Sequence, residues 1–406
     1  MSSLQFHFLL IIPDFNWICL VSIKDPSLCD QRLRINLSLT FVRKPAILNG
    51  RMEDKAYLLA LSSSGFSPRQ LLELLQVFGS AEQVWQASLK DFARVPHFSK
   101  KMGEKFCDFR KNYPLEQSWE RFKRSGLNLI TLHEDEYPEL LKTISDPPVA
   151  LFYQGKLTTP CLRALAIVGS RTGTPRGKLL AKKLASSLAE SGFTIISGLA
   201  RGIDMAAHLG ALEGGGQTWA VLGSGIDRIY PPENENLARR IALEGLIISE
   251  FPPGTPPAPW NFPQRNRIIS GLSLGVIVVE AKEKSGALIT ARFALEQGRE
   301  VFAIPGDPTS ELSRGTNALI QDGAKLVQEI GDVLAEFPYL PCPKKTSPSL
   351  ESLEEKILET LKTKGKIMEQ LMKEVNLPIQ QVAGTLLMLE TKGLVSRLPG
   401  NLFVRT

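Results

Sequence analysis

The sequence predicts a doubly wound, Rossmann-like α/β domain with a mainly parallel sheet, placed between an N-terminal all-helical module and a C-terminal winged helix. Three observations predict it. From Ala164 onward, short apolar runs alternate with glycine turns and amphipathic stretches, the rhythm of strands buried on both faces and joined by crossover helices. Residues 52–125 carry helical periodicity alone. Beyond a proline-rich stretch at 337–349, three helical patterns end in two short apolar runs around Pro399-Gly400, the layout of three helices and a hairpin wing.

Taken in order, residues 1–51 are read as an upstream extension, with Met52 the biological start. The apolar run of residues 6–12 lacks a basic start and is broken by Pro13, Asp14 and Asn16, so it fits neither a signal peptide nor a membrane span. The expectation is a cytoplasmic protein with no membrane partner. Met52 opens an amphipathic helix whose first turn holds Glu53 and Asp54, where the helix dipole favours acids. Leu71, Leu72, Leu74, Leu75, Val77 and Phe78 form an apolar stripe that Val84, Trp85, Leu89, Phe92 and Val95 continue. The turns at 64–68 and 95–97 resemble degenerate helix-hairpin-helix units, but Ser67 stands where a second glycine belongs. A packing module is therefore expected over 52–125 rather than a DNA contact.

The third domain spans 126–336. It begins with a connector holding Asp146-Pro147-Pro148 and a short strand at 149–153. Strands follow at 164–168, 194–197, 218–222, 246–249, 275–280 and 301–304, and helices at 176–190, 203–212, 233–243, 287–296 and 315–322. In the winged-helix domain, 350–406, helices are expected at 353–362, 367–375 and 379–392. The last of these carries few bases, only Lys392 near its end, so a protein contact is expected of it more than a duplex contact.

Composition narrows the function only a little. The 406 residues are 43% hydrophobic and 22% charged, with a net charge of +6, an ordinary globular balance that suits an anionic partner without requiring one. Half of that excess lies in residues 1–51, where six basic residues face three acidic ones. The five cysteines are scattered, with no C-x-x-C pair, and the four histidines do not cluster with them. Neither a metal site nor a disulfide framework is expected.

In a doubly wound sheet, ligands sit beyond the carboxyl ends of the strands. The loops there read Gly169-Ser170-Arg171-Thr172-Gly173, then Ser197-Gly198-Leu199-Ala200-Arg201-Gly202, then Gly223-Ser224-Gly225. Around the fifth strand lie Asn261-Phe262-Pro263-Gln264-Arg265-Asn266-Arg267 and Lys282-Glu283-Lys284-Ser285-Gly286. Glycine lets a phosphate approach the backbone, a helix N-terminus offers N–H groups, and Arg or Lys supplies countercharge. Several such sites in a row suit a polyanion followed along its backbone. Phe262 is the candidate platform for a base. Each feature also has a plain structural alternative: Arg171 or Arg201 pairing with a carboxylate, a tight turn, a core phenylalanine.

Enzyme motifs are incomplete. Gly177-Lys178 is preceded by Thr172 where a P-loop needs its first glycine and is followed by Leu179. The first turn is not G-x-G-x-x-G, and no acid ends the second strand to hold a ribose. Asp204 and His208, four residues apart on one helix, read as a hydrogen-bonded buried pair before they read as an acid–base couple. Glu280, expected to face the Ser285-Gly286 helix start, is a carboxylate with no visible nucleophile beside it.

Several long runs resemble one family. Gly169-Ser170-Arg171, Ser197-Gly198-Leu199-Ala200-Arg201-Gly202-Ile203-Asp204, Phe262-Pro263-Gln264-Arg265-Asn266-Arg267-Ile268-Ile269, Lys284-Ser285-Gly286-Ala287-Leu288-Ile289-Thr290 and Ile304-Pro305-Gly306 closely resemble the DNA-processing protein A (DprA/Smf) family. The match covers most of residues 56–335. The resemblance implies a non-enzymatic, cofactor-free protein that binds and protects single-stranded DNA and helps load the RecA recombinase in natural transformation. It implies a homodimer formed by the Rossmann-like domains, here through Leu319 and Ile320. It places a basic pocket at Arg171, Arg201, Arg265, Arg267 and Lys284, with Gly169, Ser170, Gly198, Gly202, Asn266, Ser285 and Gly286 around it. The alternative reading is a nucleotide-cleaving phosphoribohydrolase centred on Glu280 and Arg265.

Overall fold

A computed structural model of the chain describes residues 6–11, 17–23, 38–43, 52–157, 163–338, 352–361, 365–398 and 402–405. Within the first fifty residues three strands, β1 (Phe6–Ile11), β2 (Trp17–Ile23) and β3 (Ser38–Arg43), pair antiparallel. These strands do not bear on the reading of 1–51 as an upstream extension, whose other residues lie outside the described ones, as does the 337–349 linker beyond Pro338. The chain divides into two units, Met1–Leu340 and Pro341–Thr406.

The helical module comprises α1 (Met52–Ser62), α2 (Pro68–Phe78), α3 (Ala81–Gln86), α4 (Lys100–Asn112) and α5 (Leu115–Arg124). Ser67, Ser80 and Ser99 cap α2, α3 and α4 by accepting N–H bonds from the first turn. Leu58, Leu61, Leu74, Val84 and Phe106 form its core. The connector is more than a linker. It supplies β4 (Asn128–Thr131), the short α6 (Glu139–Lys142) and β5 (Ala150–Gly155), and its two strands extend the main sheet.

The rest of this unit alternates as the sequence predicts. In order come β6 (Ala164–Val168), α7 (Pro175–Glu190), β7 (Thr194–Ser197), α8 (Ile203–Glu213), β8 (Thr218–Leu222), α9 (Glu235–Glu244) and β9 (Leu246–Ser249). Then follow α10 (Asn261–Gly271), β10 (Gly275–Val278), α11 (Gly286–Glu296), β11 (Glu300–Ala303), α12 (Glu311–Gln321), β12 (Lys325–Leu326) and α13 (Ile330–Leu334). The sheet order is β12-β11-β10-β6-β7-β8-β9-β5-β4. It is parallel from β12 to β9, and β5 and β4 close its other edge antiparallel. Both faces are covered. Ala166, Val168, Val276 and Val278 point to the side of α10 and α11, while Leu165, Ile167, Ile277 and Val279 meet α7 and α8. Two-sided burial is why these strands read as continuous apolar runs.

One expected loop is a helix. Residues 261–267 form the first two turns of α10, because Pro263 sits in the first turn, where a missing N–H costs nothing. In the second unit, α14 (Ser352–Thr360), β13 (Lys366–Ile367), α15 (Met368–Val375), α16 (Ile379–Thr391), β14 (Val395–Leu398) and β15 (Leu402–Arg405) make three helices and a wing, with β13 adding a third strand beside β15.

Candidate functional site

The chain runs outward from β6 through β7, β8 and β9, then returns to lay β10 on the opposite side of β6. The boundary between β6 and β10 is therefore the topological switch point, where the two following loops diverge and leave a crevice. The loop after β6 and the loop after β10 are tied together there, since the Ser170 N–H donates to the Glu280 carbonyl at 2.7 Å. Ser170 Oγ accepts the Thr172 N–H at 3.2 Å, tightening the first turn.

The loop after β7 packs against this turn. Gly202 has φ of 78°, and a Cβ there would collide with the Ser170 carbonyl, so both the dihedral and the space call for glycine. Leu199 is a non-glycine residue at φ of 56°. Its strain is held by Asp204, whose Oδ2 accepts N–H bonds from Gly198 (3.1 Å) and Ala200 (3.4 Å) on either side of it.

These loops enclose an open cleft of about 560 Å3. Gly169, Ser170, Arg171 and Thr172 form one wall, Phe262, Arg265 and Asn266 of α10 another, and Lys282, Lys284, Ser285 and Gly286 a third. Arg171, Lys282 and Lys284 are exposed. Lys282 also pairs with Glu311 at 2.7 Å. Ser285 caps α11, its Oγ accepting the Ala287 N–H at 3.3 Å. Arg171, Gly198, Arg201, Tyr230 and Arg265 meet in a smaller recess beside the cleft. Exposed Arg201 is ion-paired with Glu233, one of the bland readings the sequence allowed.

The structure brings most of the expected site together and corrects it at several residues. Arg265 is 4% exposed and is spent internally, donating to the carbonyls of Gly198 (2.6 Å) and Val221 and to Asn266 Oδ1 (3.2 Å). Burial pulls its pKa down to about 10, against the pull of Asp204 and with that of Arg171. Arg267 points away from the cleft. It is 3% exposed and held by Glu250 (2.7 Å) and Asp146 (3.2 Å). Both guanidiniums are thus engaged mainly within the protein, unlike exposed Arg171 and Lys284.

Phe262 is no open platform, because its ring is covered by the Arg171 guanidinium at 5.1 Å, flanked by Tyr230 at 5.7 Å and packed on Gly223. Asp204 and His208 are both buried but do not pair with each other, since His208 Nδ1 bonds Thr218 Oγ1 at 2.7 Å. Glu280 faces the start of α7 instead of α11, accepting the N–H (2.8 Å) and hydroxyl (2.6 Å) of Thr174. Asn266 turns its amide to the Gly286 carbonyl at 3.2 Å and so joins α10 to α11. Leu319 and Ile320 are half-buried on α12, Leu319 against the core. Lys282 and Tyr230 were missed. Lys282 lay within the loop already singled out, while nothing local marks Tyr230. Among the described residues no cluster of three or more His, Cys, Asp or Glu could hold a metal, and no helix is long and apolar enough to cross a membrane.

Fold and cleft together define a Rossmann-like protein whose switch point gathers exposed cations beside glycine turns. Comparison with known proteins carries this to a family. Residues 128–338 match the family described as DNA recombination-mediator protein A, and residues 341–401 match the DprA winged helix domain. Protein Smf of Synechocystis is 37% identical over 87% of this chain and 99% of its own length. DNA processing protein DprA of Streptococcus pneumoniae is 49% identical over 52% of this chain and 74% of its own. The X-ray structure of DNA processing protein A from Streptococcus pneumoniae superposes with a TM-score of 0.62 at 39% identity, covering 69% of this chain and 97% of that one. The chain belongs to the DprA/Smf family.

Proposed function

We propose that this chain binds single-stranded DNA along the carboxyl edge of its parallel sheet, protects it, and helps load the RecA recombinase in natural transformation, without catalysing a reaction. The observation that carries this reading is the switch-point cleft, where exposed Arg171, Lys282 and Lys284 converge beside glycine turns. Separate cations and backbone donors along one edge suit successive phosphates better than one nucleotide. The names of the relatives, DNA processing proteins, agree with a DNA ligand. Homodimerisation through α12, with Ile320 at the contact, and the RecA partner belong to the same proposal. Nucleotide cleavage is disfavoured by the position of Glu280, whose carboxylate is satisfied by Thr174 beneath α7.

Fluorescence anisotropy with labelled oligo-dT at two or more salt concentrations tests the reading, comparing the full chain with its Arg171→Ala, Lys284→Ala double variant. We expect salt-sensitive binding that is weaker in the double variant, with a log–log salt slope shallower by about 1.4, since each contact to a single strand contributes roughly 0.7. Binding that is unchanged in the variant, or a preference for a mononucleotide, would overturn the assignment.

A further inference from the structure

Trp260 is 70% exposed. Among the described residues the other strongly exposed large apolar side chains are aliphatic or methionine, and leaving an indole in water returns nothing to the fold. Its location is what gives it meaning. Pro259, immediately before it, lines the switch-point cleft, and Trp260 itself lines a second cleft of about 430 Å3. The indole thus stands on the rim between the two.

The turn that presents it is built to stay in place. Five prolines between positions 252 and 259 restrict the backbone, and Asn261 anchors the start of α10 through its amide to the carbonyls of Gly223 (3.1 Å) and Pro256 (3.4 Å). The two clefts differ in chemistry. The first is lined by Arg171, Lys282 and Lys284, whereas the second is walled by Ser62, Ser63, Gly65 and Phe66 of the helical module, with Glu250 its one ionisable group. Glu250 is already paired with Arg267. The first cleft is suited to phosphates and the second to the less charged base and sugar.

We infer that Trp260 is a stacking platform for an unpaired base, carrying the nucleic-acid track from the switch-point cleft toward the helical module. This rests on the single-strand reading above and adds to it a contact made through bases.

The test compares the full chain, Trp260→Ala and Trp260→Phe on two ligands of equal length and charge, oligo-dT and an abasic deoxyribose-phosphate oligomer. The alanine variant is expected to lose roughly five- to hundredfold in affinity for oligo-dT, the range of one base–aromatic stack, with no change in salt slope. Its affinity for the abasic oligomer is expected to match the parent, and phenylalanine to restore most of the oligo-dT affinity. Wild-type affinity of the alanine variant for oligo-dT would overturn the inference, as would equal weakening on both ligands; in either case the single-strand reading stands. Failure of the parent chain to bind either oligomer would overturn that reading itself.

Discussion

Arg171 and Arg265 belong to one cleft and carry the same charge, yet burial divides their tasks. Arg171 is exposed and can change partners. Arg265 is bonded to the loops on which the cleft depends, and removing it would strand the buried carboxylate of Asp204, whose pKa is raised chiefly by desolvation and lowered by Arg265. His208 is the other buried ionisable group of α8. Thr218 Oγ1 donates to the Ile195 carbonyl, so His208 Nδ1–H must be the donor to Thr218, leaving Nε2 buried without a partner. Burial, with help from Arg265, holds its pKa down at about 3. Because the folded ring resists protonation that the unfolded ring accepts near pH 6.5, its contribution to stability is complete above that pH. It is lost as pH falls from about 6.5 toward 3, at up to about 1.4 kcal/mol per pH unit. Chemical denaturation at a series of pH values should show this slope in the parent and its loss in His208→Leu. An unchanged slope in the variant would mean that other groups set it.

At the scale of elements, the six predicted parallel strands of the Rossmann-like domain coincide with β6 to β11 to within two residues at either end. Helix α7 shows how a cap reaches the site. Thr174 accepts the Gly177 N–H at 2.9 Å while donating its hydroxyl to Glu280 at the start of the loop after β10, so one side chain starts the helix and joins it to the switch point. Thr174→Ala should cost about 1–2 kcal/mol of unfolding free energy, the upper part of the N-cap range, and Thr174→Ser should recover most of it. Equilibrium urea unfolding reads both, and a silent alanine variant would show that the cap is dispensable. Helix α10 escaped the sequence reading because Asn-Phe-Pro looks like a break in the chain. Strand β4 escaped it because Asn128–Thr131 is short and is a strand only through its pairing with β5.

For the whole molecule, the cleft belongs to the first unit and the winged helix to the second. Helix α16 exposes Ile379 (52%), Leu387 (63%) and Met388 (55%), and Lys392, the one base near its end, is engaged by Glu354 at 2.8 Å. With apolar side chains exposed and its one base engaged, the helix is expected to meet protein more than phosphates. Residues 1–338 should therefore bind oligo-dT as tightly as the full chain in the same anisotropy titration, and loss of binding would move the DNA site into the second unit. The sequence by itself determined the alternation of strands and helices, the glycine turns between them and the loops that face the ligand edge, because periodicity and backbone freedom are local properties. Only the tertiary structure decided which cations remain free. Whether an arginine meets solvent, as Arg171 does, or a carbonyl or carboxylate from elsewhere in the chain, as Arg265 and Arg267 do, depends on what packs over it, and the order of neighbouring residues does not encode that.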